Sequence, residues 1–450
     1  MRGGLGWRRA MVVALCVLAG ACSWRRGEAP FEPYLLVWAG DADRKDSDFL
    51  AVVNANPSSR KYGQVIATVP VRSRGNEPGD LNDGFRYDGR VFASGVLTNR
   101  VFTFDLRDPE EPRLVGTTEL GDRRYWAPRG IVSMPNGHVA VACPDRARHI
   151  GLAREITGAP GGLVELDAKG RIVREISAGS EESRGFVVAP SGATLAPAVK
   201  SIITTNHAHG YAASARGTLV PGITVQIWKA SDLTLRRTVV LDAGPRGEEN
   251  LGPMTPRALR REPFAYVNTH EGGALYVSDS IGIEDPAFRL AYDFGAGSFP
   301  VGAAITPNDR FYVTALSGKS QVMVLDLADP LRPRAGATVR LDRSLDGTGK
   351  PPVHPRTGGA GGLAMASDGR RVAVADYTMD VPTYRRDGDH RVYLLRLDPE
   401  TGELRVDSAF RDETTDEVGL DFNRAKWPHG ATGPARPRGL LFVATPPQSD

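Results

Sequence analysis

Four arginines and four histidines are the residues of this 450-residue chain whose types and spacing could do chemistry. Arg129, Arg184 and Arg257 each stand six positions before a proline (Pro135, Pro190 and Pro263), and Arg438 shares the Pro-Arg-Gly wording of Arg129. Guanidinium groups gathered in one place repel each other unless an anion joins them, and their planar forks suit carboxylate, phosphate or sulfate. The competing reading pairs them with acidic neighbours such as Asp83. His207 and His209 form a His-Ala-His run, while His270 and His429 border apolar runs where loops emerge. Neutral imidazoles brought together from separate segments suit copper or zinc. Taken singly, such histidines are more often solvated or bonded to backbone. Cys143, just before Pro144, reads as a small buried residue rather than a nucleophile. The chain has no Gly-x-Ser-x-Gly elbow and no Gly-Lys-Ser phosphate loop. The carboxylates Asp41, Asp43, Asp46 and Asp48 lack the glycine and distal glutamate of a calcium loop and read as a solvated turn.

The elements that must position these groups are short strands. Period-two apolar runs alternate with turn residues, and 51 Gly and 33 Pro leave no room for long helices. One phrase recurs, an alternating strand running into an acidic turn: Val101 to Pro109, Leu163 to Asp167, Val225 to Asp232, Val322 to Pro330 and Val392 to Pro399. A strand precedes most copies, another follows each, and a shorter apolar segment with a turn stands in front. Four strands per unit, repeated with loop insertions, predicts an all-β fold, a seven-bladed β-propeller. The first unit lacks its innermost strand, and Pro437 to Val443 reads as that strand supplied from the C-terminus, so that the ring is closed by a strand completing the first blade. Innermost strands line a propeller's channel, and the common offset of six points Arg129, Arg184 and Arg257, with Arg438, at one channel mouth.

The balance of 56 basic against 53 acidic side chains gives no footprint for nucleic acid. The surplus of three lies within residues 1–21, which carry Arg2, Arg8 and Arg9 and no acid. An apolar run from Ala10 to Gly20 follows them, too short to span a bilayer, and then Ala21-Cys22. The order resembles a bacterial lipoprotein signal, which implies cleavage before Cys22, lipidation of that residue, and residence in the cell envelope at the outer membrane or facing the periplasm. The competing reading is an ordinary secretory signal cut nearby. The expected organisation is a signal at 1–21, a tether at 22–33, the propeller at 34–445 and a short tail at 446–450.

The run from Asp48-Phe-Leu-Ala-Val-Val-Asn-Ala-Asn-Pro to Gly63-Gln-Val-Ile66 resembles the first blade of the selenium-binding protein family, which includes methanethiol oxidases. Pro307 to Val313, Val324 to Arg334 and Ser367 to Val372 continue the likeness in the same order. The resemblance implies a seven-bladed propeller and, in its oxidase members, copper-dependent oxidation of methanethiol to formaldehyde, hydrogen peroxide and hydrogen sulfide. Where the family carries a His-His-Ser-Gly stretch, this chain has Leu81-Asn-Asp-Gly-Phe-Arg86. Arginines in place of acids at strand starts would repel copper and attract anions. Two functions stand side by side. One is a metal-dependent oxidase of small sulfur compounds, with copper held among His207, His209, His270 and His429. The other is a non-catalytic propeller whose arginines hold an anionic ligand or a partner.

Overall fold

In the computed structural model, the residues described are 31–83, 89–120, 125–150, 153–157, 159–209, 220–341, 359–378 and 388–444. The leader, Cys22, most of the tether and the tail lie outside them. All long elements among these residues are strands, joined by turns and two short 3-10 turns at Pro197–Val199 and Ser317–Lys319. The strands form four-stranded antiparallel units in chain order. In the sixth, for example, Pro300–Ile305, Phe311–Leu316, Gln321–Asp326 and Arg334–Arg340 pair consecutively. The second and third units are fused into one eight-stranded sheet, because Pro78–Asp83 and Ile131–Ser133 pair in parallel. A three-stranded sheet of Tyr125–Trp126, Asp145–Ile150 and Ala153–Thr157 is an insertion that the repeat did not foretell. The first unit is completed from the far end of the chain: Ala435–Val443 pairs antiparallel with Tyr34–Asp41.

Burial follows from this arrangement. Strands in the middle of each unit have neighbours on both faces, so Val139–Cys143, Ala274–Ser278 and Phe311–Leu316 are buried throughout. Outermost strands such as Arg113–Glu119 alternate between half-buried and exposed. The apolar core is divided among the gaps between units. Trp38, Leu50 and Val52 of the first pack on Val91, Phe102 and Phe104 of the second. Similar clusters fill each following gap, and Ala373, Val392 and Leu394 of the seventh pack back on Val37, Ala51 and Phe442 of the first.

Charges buried at the unit edges are matched. Asp48 is fully buried, accepting the backbone N–H and side-chain Nδ2 of Asn76 at 2.7 Å and the Asp41 N–H at 2.8 Å. The expected solvated turn is therefore largely structural: Asp41 and Asp48 are staples, half-buried Asp46 accepts the Thr432 N–H at 2.9 Å, and Asp43 faces water. Asp412, also buried, accepts the Thr414, Thr415 and Asp421 N–H groups and an Arg424 Nη2 at 3.0 Å. Burial raises its proton affinity, but these donors and the Arg424 charge lower it more, leaving the net value below the ordinary aspartate range.

Two stability measurements check this packing. The fully buried Trp38 donates from Nε1 to the Ser94 carbonyl at 2.9 Å and stacks on Phe102 at 5.4 Å, so Trp38→Ala should cost about 3–5 kcal/mol in denaturant unfolding. Because the Asp412 value is depressed in the folded state, its contribution is fully present above the unfolded aspartate pKa and is lost as pH falls through the native value. Asp412→Asn should therefore destabilise at pH 7 and give a shallower loss of stability below about pH 4.

Candidate metal centre

The fourth and fifth units bring two second strands to one edge. His207 lies near the end of Ser201–His209, at a register irregularity between Asn206, opposite Thr224, and Ala208, opposite Pro221. Such irregularities re-aim a side chain. His270 and Glu271 follow Ala265–Thr269 in a turn held by Gly273 N–H to Thr269 O and Gly272 N–H to Leu251 O. The Glu271 carboxylate lies 3.1 Å from His207 Nε2 and 3.2 Å from His270 Nδ1, and the two imidazoles meet edge to face at 5.5 Å. One ligand atom from each residue falls within 4.8 Å of the other two. Donors bound about 2.0–2.2 Å from a common ion stand about that close to one another, so the group has the span of a three-ligand site. No other group of three such donors occurs among the described residues.

Electrostatics favour the forms that bind metal. Burial, with help from His270 and Arg129, lowers the proton affinity of His207 in spite of Glu271, so its imidazole is neutral near pH 7. Burial alone would raise Glu271, but the two histidines beside it bring its carboxyl well below the ordinary glutamate range. The triad packs against Gly252, whose N–H bonds Gly222 O at 2.8 Å and whose carbonyl accepts His270 N–H at 2.7 Å. Gly252 has φ +67°, and a Cβ there would collide with Glu271 Oε2.

Arg129, Arg257 and Arg438 line one cavity of about 910 Å³ bounded by the innermost strands. Arg129 and Arg438 are 4% and 5% exposed. Arg129 connects the cavity with the triad: it lies within electrostatic reach of both His207 and Arg438.

Arg184 is not with them. It is exposed in a turn and bonds Glu181 at 2.8 Å, because the innermost strand of its unit begins at Pro190 rather than ending there. A proline donates no hydrogen bond and so suits a strand's first position. His429 is also elsewhere, bonded to Thr68 Oγ1 at 2.9 Å and stacked on Phe49 at 4.7 Å. His209 ends the strand that carries His207, but its side chain lies outside the described part, as does that of Asp83. Cys143 is buried as expected, and burial pushes its thiol up, away from reactivity. Glu271 and Gly252 were missed from sequence; the signal lay in His270-Glu271-Gly272-Gly273, where a donor pair precedes two glycines at a strand end.

If Gly252 shapes the triad, Gly252→Ala should displace Glu271 and weaken divalent-metal binding by about tenfold or more in calorimetric titration, while the other units keep their strand content by circular dichroism.

No family model matches the chain. A methanethiol oxidase from Hyphomicrobium sp. is 32% identical over 157 residues, a stretch covering 32% of this chain and 35% of that protein. The chain thus spans about a third of the length of the curated relative it matches. Among solved structures, a hypothetical selenium-binding protein from Sulfolobus tokodaii superposes with a TM-score of 0.70 at 16% identity, covering 94% of this chain and 96% of that one. The periplasmic gluconolactonase of Pseudomonas aeruginosa gives 0.58 at 13% identity, covering 92% and 99%, a likeness of fold alone. In sequence over a third of its length, and in fold over nearly all of it, the chain is similar to the selenium-binding protein and methanethiol oxidase family of β-propellers.

Proposed function

We propose that the protein is a metal-dependent oxidase of small sulfur compounds, built on a closed seven-bladed ring and held in the cell envelope by lipid on Cys22. The ring is supported by the pairing of first and last strands and by the apolar cluster joining the seventh unit to the first. The observation that carries the activity is the buried His207, His270 and Glu271 triad, in a chain similar over about a third of its length to a methanethiol oxidase. Two imidazoles and a carboxylate suit copper or iron, metals that would bind thiolate and whose reduced forms, Cu(I) and Fe(II), react with dioxygen. His207 and His270 would donate neutral nitrogens and Glu271 one negative oxygen, each already oriented by the bonds within the triad. The Gly252 backbone fixes the wall behind them. The cavity of about 910 Å³ bounded by the innermost strands leaves room for a small substrate.

Elemental analysis of the purified protein should find about one redox-active metal per chain, and methanethiol with dioxygen should yield peroxide. His207→Ala with His270→Ala should lower metal content at least about tenfold and abolish peroxide release, with the strand signal retained. Wild-type protein that takes up neither copper nor iron, or peroxide release unchanged in the double variant, would overturn the reading.

A further inference from the structure

The innermost strands share a feature that the repeat alone does not reveal: near its start, nearly every one breaks register with its neighbour. Across from Ala360–Met365 the break skips Gly361, in Pro190–Ala196 it skips Ser191, and in Pro78–Asp83 it takes in Gly79 and Asp80. In Ala435–Val443 the skipped residue is Arg438, since Trp38 faces Gly439 and Ala39 faces Pro437. A bulge turns its extra residue out of the ladder, and Arg438 lines the cavity.

Arg438 is charged, 5% exposed, and makes no hydrogen bond or ion pair with any described residue. A buried guanidinium without a partner is costly, and native structures rarely leave one so. Burial pulls its proton affinity down, and Arg129 adds to that. Arg257, on the same cavity, is held by backbone alone: its Nε donates to Ala303 O at 2.6 Å and its Nη1 to Pro256 O at 2.8 Å, with no described carboxylate within 4 Å. The cavity also has acids. Glu32 accepts the Ser367 N–H at 2.7 Å and Asp309 accepts the Arg260 N–H at 3.1 Å, so both are engaged away from Arg438. Asp80, one unit from Arg438, raises its proton affinity but makes no ion pair with it. The described lining carries four arginines, Arg129, Arg257, Arg260 and Arg438, against three acids, Glu32, Asp80 and Asp309, and none of the three acids contacts Arg438.

We infer that the cavity takes a small organic monoanion whose carboxylate or sulfonate is held by Arg438. The fork of Arg438 offers two parallel N–H donors to two oxygens, a match that a neutral thiol cannot make. Arg129 lines the same cavity and lies within electrostatic reach of Arg438, adding to the pull on an anion there. Anion binding at Arg438 stands independently of the proposed oxidase activity.

The test uses metal-free full-length protein, titrated calorimetrically with mercaptoacetate, with acetate and with ethanethiol. Mercaptoacetate and acetate should bind, ethanethiol should not, and Arg438→Gln should weaken mercaptoacetate binding at least about tenfold, as expected for the loss of a bidentate charge-assisted contact. If that variant fails to fold, sulfate competition on the wild type replaces it, and sulfate should displace mercaptoacetate. Ethanethiol binding as tightly as mercaptoacetate, or an Arg438→Gln protein that folds and binds unchanged, or indifference to sulfate, overturns the inference. Anion binding by a protein that oxidises no thiol when loaded with metal would defeat the oxidase reading and leave the anion site standing.

Discussion

The antiparallel pairing of Tyr34–Asp41 with Ala435–Val443 is the constraint on which most of the molecule depends. Without it, the first unit would expose a strand edge whose residues Leu35 to Ala39 are wholly apolar and buried in the structure. With it, Trp38 is locked between the first two units by its bond to Ser94, and Phe442 joins the cluster that ties the seventh unit to the first. The same strand carries Arg438 in its bulge. One pairing therefore fixes both the joining of the chain ends and the placement of a buried charge in the cavity.

That charge has to be read together with the triad. Glu271 lies between two imidazoles that together offset its burial, whereas Asp80 and Glu77 act on Arg438 only at a distance, without an ion pair. The contrast separates two kinds of buried ionisable group. One is balanced by groups in direct contact with it; the other has no contacting counter-charge among the described residues. Arg129 joins them electrostatically, and a cation placed on the triad would add to the positive field that Arg129 and Arg438 already create. An anion on Arg438 would relieve that field, and a cation on the triad would strengthen the pull on the anion.

Much of the fold was legible because its physics is repetitive. Strands buried on both faces read as continuous apolar runs, and acidic turns mark where each unit folds back. The pairing of the first unit with Pro437 to Val443 followed from a missing strand at one end and a spare one at the other. The site was less legible. Arg129, Arg257 and Arg438 were found by a counting rule that failed at Arg184, because Pro190 opens a strand rather than closing one. Two of the four histidines, His207 and His270, come together; His429 is drawn away by Thr68 and Phe49, contacts that no spacing encodes. Glu271 was invisible as a partner of His207 because the two are 64 positions apart, and only the packing of adjacent units unites them.

The bulges explain why the cavity can be chemically specific although its frame is one repeated strand. In a regular ladder every second residue of an innermost strand would point inward, and the lining would inherit whatever the alternation supplied. Breaking register once per strand detaches that one position from the alternation, so that it can change without disturbing the packing between units. At these positions the chain uses Gly361, Ser191, Asp80 and Arg438, residues that differ in size and charge while the flanking pairs stay in register. Gly362, beside one such break, abuts the Arg438 backbone so closely that a Cβ would collide with its carbonyl. Small residues next to the breaks thus hold the strands close, and the breaks themselves carry the chemistry. A repeated fold can in this way change the charge of its cavity without altering its frame.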